Sequence, residues 1–486
     1  MSNINNMPEI IDNMPNICGK EKEIEQATKP SAKNYYAPVS NINLDKVQGA
    51  FSIALHMHQP MIPAGGYDLR SAQIISNLKN MMDNQHIGDN HNAPTFRDCY
   101  VRMSRFILDL ANRGKNPRIM LDYSGNLLWG LRQMGDGWVL DDLKKIACDP
   151  KYFRYVEWLG TTWSHAVVTS TPVPDVKLHI RAWQHNFASI FGFEALERVK
   201  GFSPPEMHLP IHPDICYEYV KALKECGYRW LMVQEHTIEK IDGSGINLKH
   251  VPHRLVAKNS EGKVEEIAVL IKTQGSDTKL VAQMQPVWEA KGLPRINYCG
   301  KDIPQCANQI GDGENGGVMM NEFPKGYYQE FENIGTEGLV GLNGSEYLEL
   351  LKEKGISEKD FIPVQPISQK RIWDNIGKPK KGAADEAIDA IKAKDHGYNL
   401  DKGSWTSNIS WVKGYENVLD PINKLSAVFH AKVETKKINT SDAKYREALT
   451  YVLLSQTSCF RYWGQGLWTE YAKEICRRGM EKVEQL

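Results

Sequence analysis

Short apolar runs that stop abruptly at polar residues recur along the first half of this chain. Ala50-Phe51-Ser52-Ile53-Ala54-Leu55 ends at His56-Met57-His58-Gln59-Pro60. Arg118-Ile119-Met120-Leu121-Asp122-Tyr123 runs into Ser124-Gly125-Asn126, and Tyr155-Val156-Glu157-Trp158-Leu159-Gly160 into Thr161-Thr162-Trp163-Ser164-His165. Tyr228-Arg229-Trp230-Leu231-Met232-Val233 gives way to Gln234-Glu235-His236. Runs of this length with polar tips predict buried strands. Between the first three lie stretches with apolar residues three and four apart, such as Tyr100 to Ala111, which predict helices. Strand, polar tip and helix in repetition is the pattern of a β/α barrel, whose chemistry gathers at the C-terminal strand ends. A doubly wound open sheet shares that pattern, but announces a nucleotide site with a Gly-rich turn after its first strand. None is present here. The predicted class is α/β, with a barrel over residues 49–374.

The flanks read differently. Residues 1–48 are rich in Asn, Lys, Glu and Pro without sustained periodicity, which predicts a loosely ordered extension. Glu266 to Ile271 is one further strand. Residues 375–414, Lys-, Gly- and Asp-rich at their start, read as a linker or surface excursion carrying a polar helix at most. From 415 to 486 the pattern turns helical. Tyr445, Ala448, Leu449, Val452 and Leu453 form one stripe, Ser441 or Asp442 is placed to cap it, and Leu467 to Val483 is a second helix. A C-terminal helical bundle packed on the barrel is expected.

Composition narrows the partners. The 59 basic and 59 acidic side chains cancel, so no general attraction to nucleic acid or an anionic membrane is expected. Nine cysteines without a CxxC pair point to reduced thiols and a cytoplasmic setting. Met1 to Asn16 is polar and does not read as a secretory leader, and no run approaches the ~18 apolar residues of a membrane helix. Most of the 12 Trp and 20 Tyr are explained by packing; a minority would suit flat platforms for sugar rings.

Two acidic clusters carry the candidate chemistry. In Gly201-Phe202-Ser203-Pro204-Pro205-Glu206-Met207-His208-Leu209-Pro210, prolines restrict the backbone around Glu206, which suits a group that must be aimed. In Ile310-Gly311-Asp312-Gly313-Glu314-Asn315-Gly316-Gly317, glycines clear space around Asp312 and Glu314 for a bulky ligand. A Glu after two prolines is more often a solvated turn residue, and Asp-Gly a turn dipeptide. Taken together, two preorganised carboxylates suggest glycosidic bond chemistry, one as acid/base and the other as nucleophile or base.

Four blocks in order, His56-Met57-His58-Gln59-Pro60, Val156-Glu157-Trp158-Leu159 with Ser164-His165, Ser203-Pro204-Pro205-Glu206, and Asp312-Gly313-Glu314-Asn315, resemble glycoside hydrolase family 57. The late stretch Leu453 to Gly464 is similar to an aromatic segment of that family's helical region, so the resemblance covers roughly residues 50 to 480. It implies retaining enzymes of α-glucans with a distorted seven-stranded barrel and helices closing one side of the cleft. Glu206 then matches the nucleophile, Asp312 the acid/base, and His58 a substrate-contacting histidine, with Glu157 and His165 lining the same cleft. His56, His208, Glu314, Trp158 and Trp463 complete the candidate substrate-binding set, and Glu314 rivals Asp312 for the acid role. Trp463 could equally seal the helices against the barrel. The chain departs from many members in writing Pro-Pro before the glutamate and Gly316-Gly317 after the fourth block. The expected partner is an oligo- or polysaccharide; the mechanism calls for no cofactor and no metal.

Two other readings compete. His56 and His58 alternate along one strand, and with His165, His208 and Asp122 could ligate zinc, as in metal-dependent polysaccharide deacetylases. Against that, Gln59-Pro60 follows where an HxHxD pattern would place a third ligand. The other reading is a non-catalytic carbohydrate-binding relative.

Overall fold

Seven parallel strands close into a barrel, in chain order, in the computed structural model, which describes residues 7–66, 68–273, 279–404, 410–462 and 466–486. They are β1 (Val47–Met57), β2 (Ile119–Tyr123), β3 (Val156–Gly160), β4 (Gly201–Phe202), β5 (Trp230–Gln234), β6 (Val264–Lys272) and β7 (Cys306–Asp312). Each pairs with the next, and β7 returns to β1. The expected seven-stranded barrel is present, and no edge is left open between these strands.

Two of the strands have no legible apolar run. β4 is two residues long, because Pro204 and Pro205 follow and lack the N–H that would extend its ladder. β7 carries Asn308 and Gln309 at its middle; Asn308 Oδ1 accepts the Ser52 hydroxyl at 2.7 Å. Period-two alternation sorts the rest. Ala50, Ala54, Met120, Leu159, Met232 and Leu270 share one cluster, while Phe51, Leu55, Leu121, Trp158, Leu231 and Val269 join the larger core with the helices. The same alternation places His56, His58, Asp122 and Asp312 on the inner set, at the C-terminal ends.

The barrel leaves no slack at Gly160. A Cβ there would lie 2.1 Å from the hydroxyl oxygen of Tyr228, whose buried ring packs edge-on against Phe202 at 5.0 Å. Gly160→Ala is expected to cost about 1–3 kcal/mol through overpacking, measured as a lower denaturant midpoint at unchanged slope.

Residues 7–48 differ from the loosely ordered extension expected. Ile10–Ile11 pairs with Met14–Pro15, α1 (Glu21–Ala27) follows, and Ile17 and Ile24 are buried in the main core. Scattered apolar residues suffice because each fills a groove that the helices already provide. The main helices packed around the barrel include α2 (Ala93–Asn112), α3 (Gly125–Gln133) and α4 (Val173–Phe191). After β7 comes α5 (Gly344–Glu353), whose Glu349 carboxylate receives the N–H groups of Tyr35, Tyr36 and Ala37 at 2.7–2.9 Å.

The stretch expected to be a linker holds α6 (Ala383–Lys394), with Ala384, Ala387, Ile388 and Ile391 buried in a small core of their own. Their i, i+3, i+4, i+7 spacing explains it. The C-terminal helices are α7 (Glu416–Lys436), α8 (Ala443–Ser455) and α9 (Leu467–Glu484). Asp442 caps α8 by accepting the Lys444 N–H at 2.7 Å. Among the described residues no helix is long and apolar enough to cross a membrane.

Candidate active site

The C-terminal ends of β7, β1 and β2 stand side by side, with Asp312 in register with His56 and His56 with Asp122. His56 Nδ1 donates to the buried Asp122 carboxylate at 2.7 Å. Its Nε2 is buried and meets no partner among the described residues. Burial opposes charge on this ring, and Asp122 opposes burial through charge and hydrogen bond. With Asp312 and Glu314 adding, His56 is lifted to about 9 and is cationic at neutral pH.

The carboxyls after β7 respond in the opposite sense. Burial raises half-buried Asp312, and the His56 cation only partly offsets it. Burial, then the charge of Asp312, lifts Glu314 to about 8. Glu314 Oε1 accepts the His58 N–H at 3.1 Å, while its Oε2 is buried without a partner among the described residues. Gly313 packs closely against β1 rather than facing open space. Its N–H reaches the His56 carbonyl at 2.8 Å, and a Cβ there would lie 2.2 Å from Met57 Sδ. A side chain at this position would require the Met57 thioether to move aside.

Three histidine rings cluster beside these carboxyls. His58 lies 4.3 Å from His165 at an interplanar angle of 12°, and His56 lies 4.6 Å from His165. His58 Nδ1 meets Ser124 Oγ at 2.7 Å and its Nε2 meets Cys459 Sγ at 3.5 Å. His165 Nδ1 meets Ser458 Oγ at 2.6 Å, and its Nε2 is buried and unpartnered among the described residues. Burial first, then the neighbouring imidazoles, hold both rings well below the ordinary histidine range, so both are neutral. His165 sits at φ 62°, and its loop is stitched to the C-terminal region by a bridge from Ala166 to Thr457.

Glu206 follows the two prolines at φ 59° and ψ 19°, and Met207 continues at φ 49°. Left-handed backbone at two consecutive side-chain-bearing residues is strained, by roughly 1–3 kcal/mol each. Burial of Met207 in the barrel cluster and the Leu209 N–H bond to the Gly403 carbonyl, 2.8 Å, hold the turn. Burial pushes the Cys459 thiol up to about 12, with the charges of Glu206 and Glu314 both contributing. One thiol therefore lies within electrostatic reach of both acidic segments.

Several sequence candidates stand elsewhere. Glu157 faces the barrel floor, where its carboxylate receives the Ser345 N–H at 2.9 Å and the Ser345 hydroxyl, holding the start of α5. Burial lifts it to about 8 against those two bonds. Trp158 points outward into Tyr123, Phe187 and Phe191, at centroid distances of 5.4, 5.5 and 5.0 Å. Neither is brought to the histidines. Residue 157 sits near the start of a strand whose far end leads to the site, and residue 158 on its opposite face. His208 is buried and bonded to the Thr169 hydroxyl, and burial pushes it down to about 3. Trp463 lies outside the described residues. Ser124, Ser458, Cys459 and Arg461 belong to the neighbourhood but carried no individual signal, being common residue types without diagnostic spacing. Among the described residues, no group of three or more His, Cys, Asp or Glu side chains is arranged to hold a metal ion.

Residues 52–278 match the family model described as glycosyl hydrolase family 57. No curated protein matches the chain. Among solved structures, the 4-α-glucanotransferase of Thermococcus litoralis is similar at 16% identity and a TM-score of 0.51, over 90% of this chain and 57% of that one. This chain thus spans little more than half of that protein's length. Branching enzymes of Thermococcus kodakaraensis and Pyrococcus horikoshii match at 13% and 12% identity, with TM-scores of 0.46 and 0.48. They cover 89% and 90% of this chain and 88% of their own lengths. The match to the glycosyl hydrolase family 57 model over residues 52–278 bears out the family resemblance read from the sequence.

Proposed function

We propose that this protein cleaves or transfers α-linked glucan units with retention of configuration, Glu206 acting as nucleophile and Asp312 as acid/base. The observation that carries the reading is the pair of carboxyls at the barrel mouth that burial raises beside a histidine cation. Burial holds Asp312 and Glu314 toward their protonated forms beside a His56 cation, and Glu206 occupies a separate strained turn. Retaining chemistry needs one carboxyl protonated and one ionised at the same pH.

In the first step Glu206 attacks the anomeric carbon while Asp312 gives its proton to the departing glycosidic oxygen. The bond to the leaving sugar breaks as the glycosyl ester forms. In the second step Asp312, now ionised, takes a proton from the acceptor hydroxyl, which displaces Glu206 and restores both groups. Water as acceptor gives hydrolysis; a sugar hydroxyl gives transfer. The unpartnered Nε2 atoms of His56 and His165 and the Oε2 of Glu314 would meet substrate hydroxyls. The α-glucan class rests on the family match and on the glucanotransferase named above.

Incubation with a maltooligosaccharide series, followed by proton NMR of the first products, tests this. The α-anomer should appear first, and treatment with a chelator should leave the rate unchanged. Initial formation of the β-anomer, or no turnover on any α-glucan, would overturn the proposal.

A further inference from the structure

The chain around α6 lies against the turn that carries Glu206. Three residues beyond Glu206, Leu209 donates its N–H to the Gly403 carbonyl at 2.8 Å. Ile211 follows, buried in the small core with Ala384 and Ile388 of α6, and its carbonyl receives Gln369 Nε2 at 2.8 Å. Next to it, His212 Nε2 meets Asp385 Oδ1, also on α6, at 3.1 Å. On the other side of Glu206, Ser203 donates its N–H to the Gly160 carbonyl at the end of β3, at 2.8 Å. The turn is thus held between the barrel and the excursion built on α6.

Gly403 permits this contact. Its φ of 111° is one that residues with side chains rarely adopt, and a Cβ there would lie 2.5 Å from the Leu209 carbonyl oxygen. The obstruction is backbone, with no flexible side-chain end to yield, so alanine at 403 must push the two segments apart. The segment is also fixed from behind. The Ser404 carbonyl accepts the His236 Nε2–H at 2.8 Å, just after β5, and the Ser404 hydroxyl accepts the indole N–H of fully buried Trp411 at 3.3 Å.

Left-handed backbone at Glu206 and Met207 persists only where the surroundings over-determine it. The Met207 N–H bond to the Pro204 carbonyl, 2.9 Å, and the His208 N–H bond to the Pro205 carbonyl, 3.1 Å, close the turn internally. They do not decide where it sits. That is set by the anchors at Ser203 and Leu209.

We propose that Gly403 is a positioning residue for Glu206. By letting residues 400–404 lie directly on the Leu209 peptide, it fixes the turn at the barrel mouth and makes turnover depend on the seating of the α6 excursion. The catalytic consequence rests on the nucleophile reading above; the clamp itself does not.

The test uses the full chain as wild type, Gly403→Ala, Gly382→Ala and Glu206→Gln. Gly382 belongs to the same excursion, with φ 76° at the start of α6, but a Cβ there would meet only Asp385 Oδ2, 4.0 Å away. Its replacement strains the excursion without touching the turn. Gly403→Ala should lower kcat and kcat/KM equally, by about 10²-fold, the scale of a displacement of about 1 Å at a reacting group. The alkaline limb of its pH profile, set by the acid, should stay where it is. Gly382→Ala should lose stability and keep wild-type kcat. Wild-type kcat in folded Gly403→Ala, a shifted alkaline limb, or an equal loss in Gly382→Ala overturns the proposal.

Amide hydrogen exchange covers the case in which Gly403→Ala does not fold. Ile388→Ala hollows the small core beneath Ile211 and should speed exchange in α6. The Leu209 amide, whose acceptor is Gly403, should gain exchange by the same factor. A Leu209 amide that stays protected while α6 exchanges would overturn the clamp. Full turnover by Glu206→Gln would overturn the nucleophile reading alone, because exchange at Leu209 reports the clamp without any chemistry.

Discussion

On the proposed nucleophile role, Glu206→Ala is expected to lower kcat on maltooligosaccharides by about 10⁴-fold or more. The loss should fall on kcat and kcat/KM alike, since the interaction is made only as the bond to carbon forms. Truncation to Ala also opens room beside the Pro204-Pro205 turn. Azide should enter there and react with a substrate bearing an activated leaving group. Direct attack inverts the centre once, so the product should be the β-glycosyl azide, opposite in configuration to the wild-type product. The Cys459 thiol should fall in pKa, having lost one of the charges that raise it. A variant retaining more than a few per cent of wild-type turnover, or giving only the α-azide, would remove Glu206 from the nucleophile role.

Asp312→Asn should lower kcat/KM by about 10²–10⁴-fold on natural glycosidic linkages, the usual worth of a positioned general acid. With a leaving group that needs no protonation the first step should recover, while the second remains slow for want of a base. The pH profile separates Asp312 from its rival. In the wild type, activity should fall on the alkaline side as the acid ionises. Removing Asp312 also removes the second cause holding Glu314 near 8, so Glu314 should titrate lower. If Asp312 is the acid, the alkaline limb disappears in Asp312→Asn and survives in Glu314→Gln. If Glu314 performs the task, the two variants exchange behaviour. That exchange would refute the assignment of Asp312.

Much of the barrel was legible because its strands obey a local rule. In β1, β2, β3, β5 and β6, apolar side chains crowd both faces, and the run announces itself over five or six residues. The strands that escaped are those where the barrel tolerates something else. β4 is cut short by Pro204, and β7 spends its centre on Asn308, which finds Ser52 across the interior. Glu157 shows the matching limit for the site. Its neighbours in sequence lead to the histidines, yet its own carboxylate is consumed by Ser345, 188 residues away in the chain. Composition misled at the N-terminus, where Ile17 and Ile24 are too sparse to form a periodic pattern but fit grooves made by other helices.

By itself, the amino-acid sequence determined which segments could be strands and helices, which strand ends carried polar groups, and that Glu206 and Asp312 were restrained. Those properties depend on neighbours a few residues apart. Only the tertiary structure decided the charge of each site residue, because burial and distant partners set it. His56 is cationic through Asp122, His58 and His165 are neutral in one stack, and Glu314 is lifted by enclosure and by Asp312. The same closure brought Cys459 and Arg461, more than 400 residues beyond β1, against the mouth of the barrel. Contacts across such separations exist only once the sheet has closed and α8 has docked on it, and no local pattern encodes them.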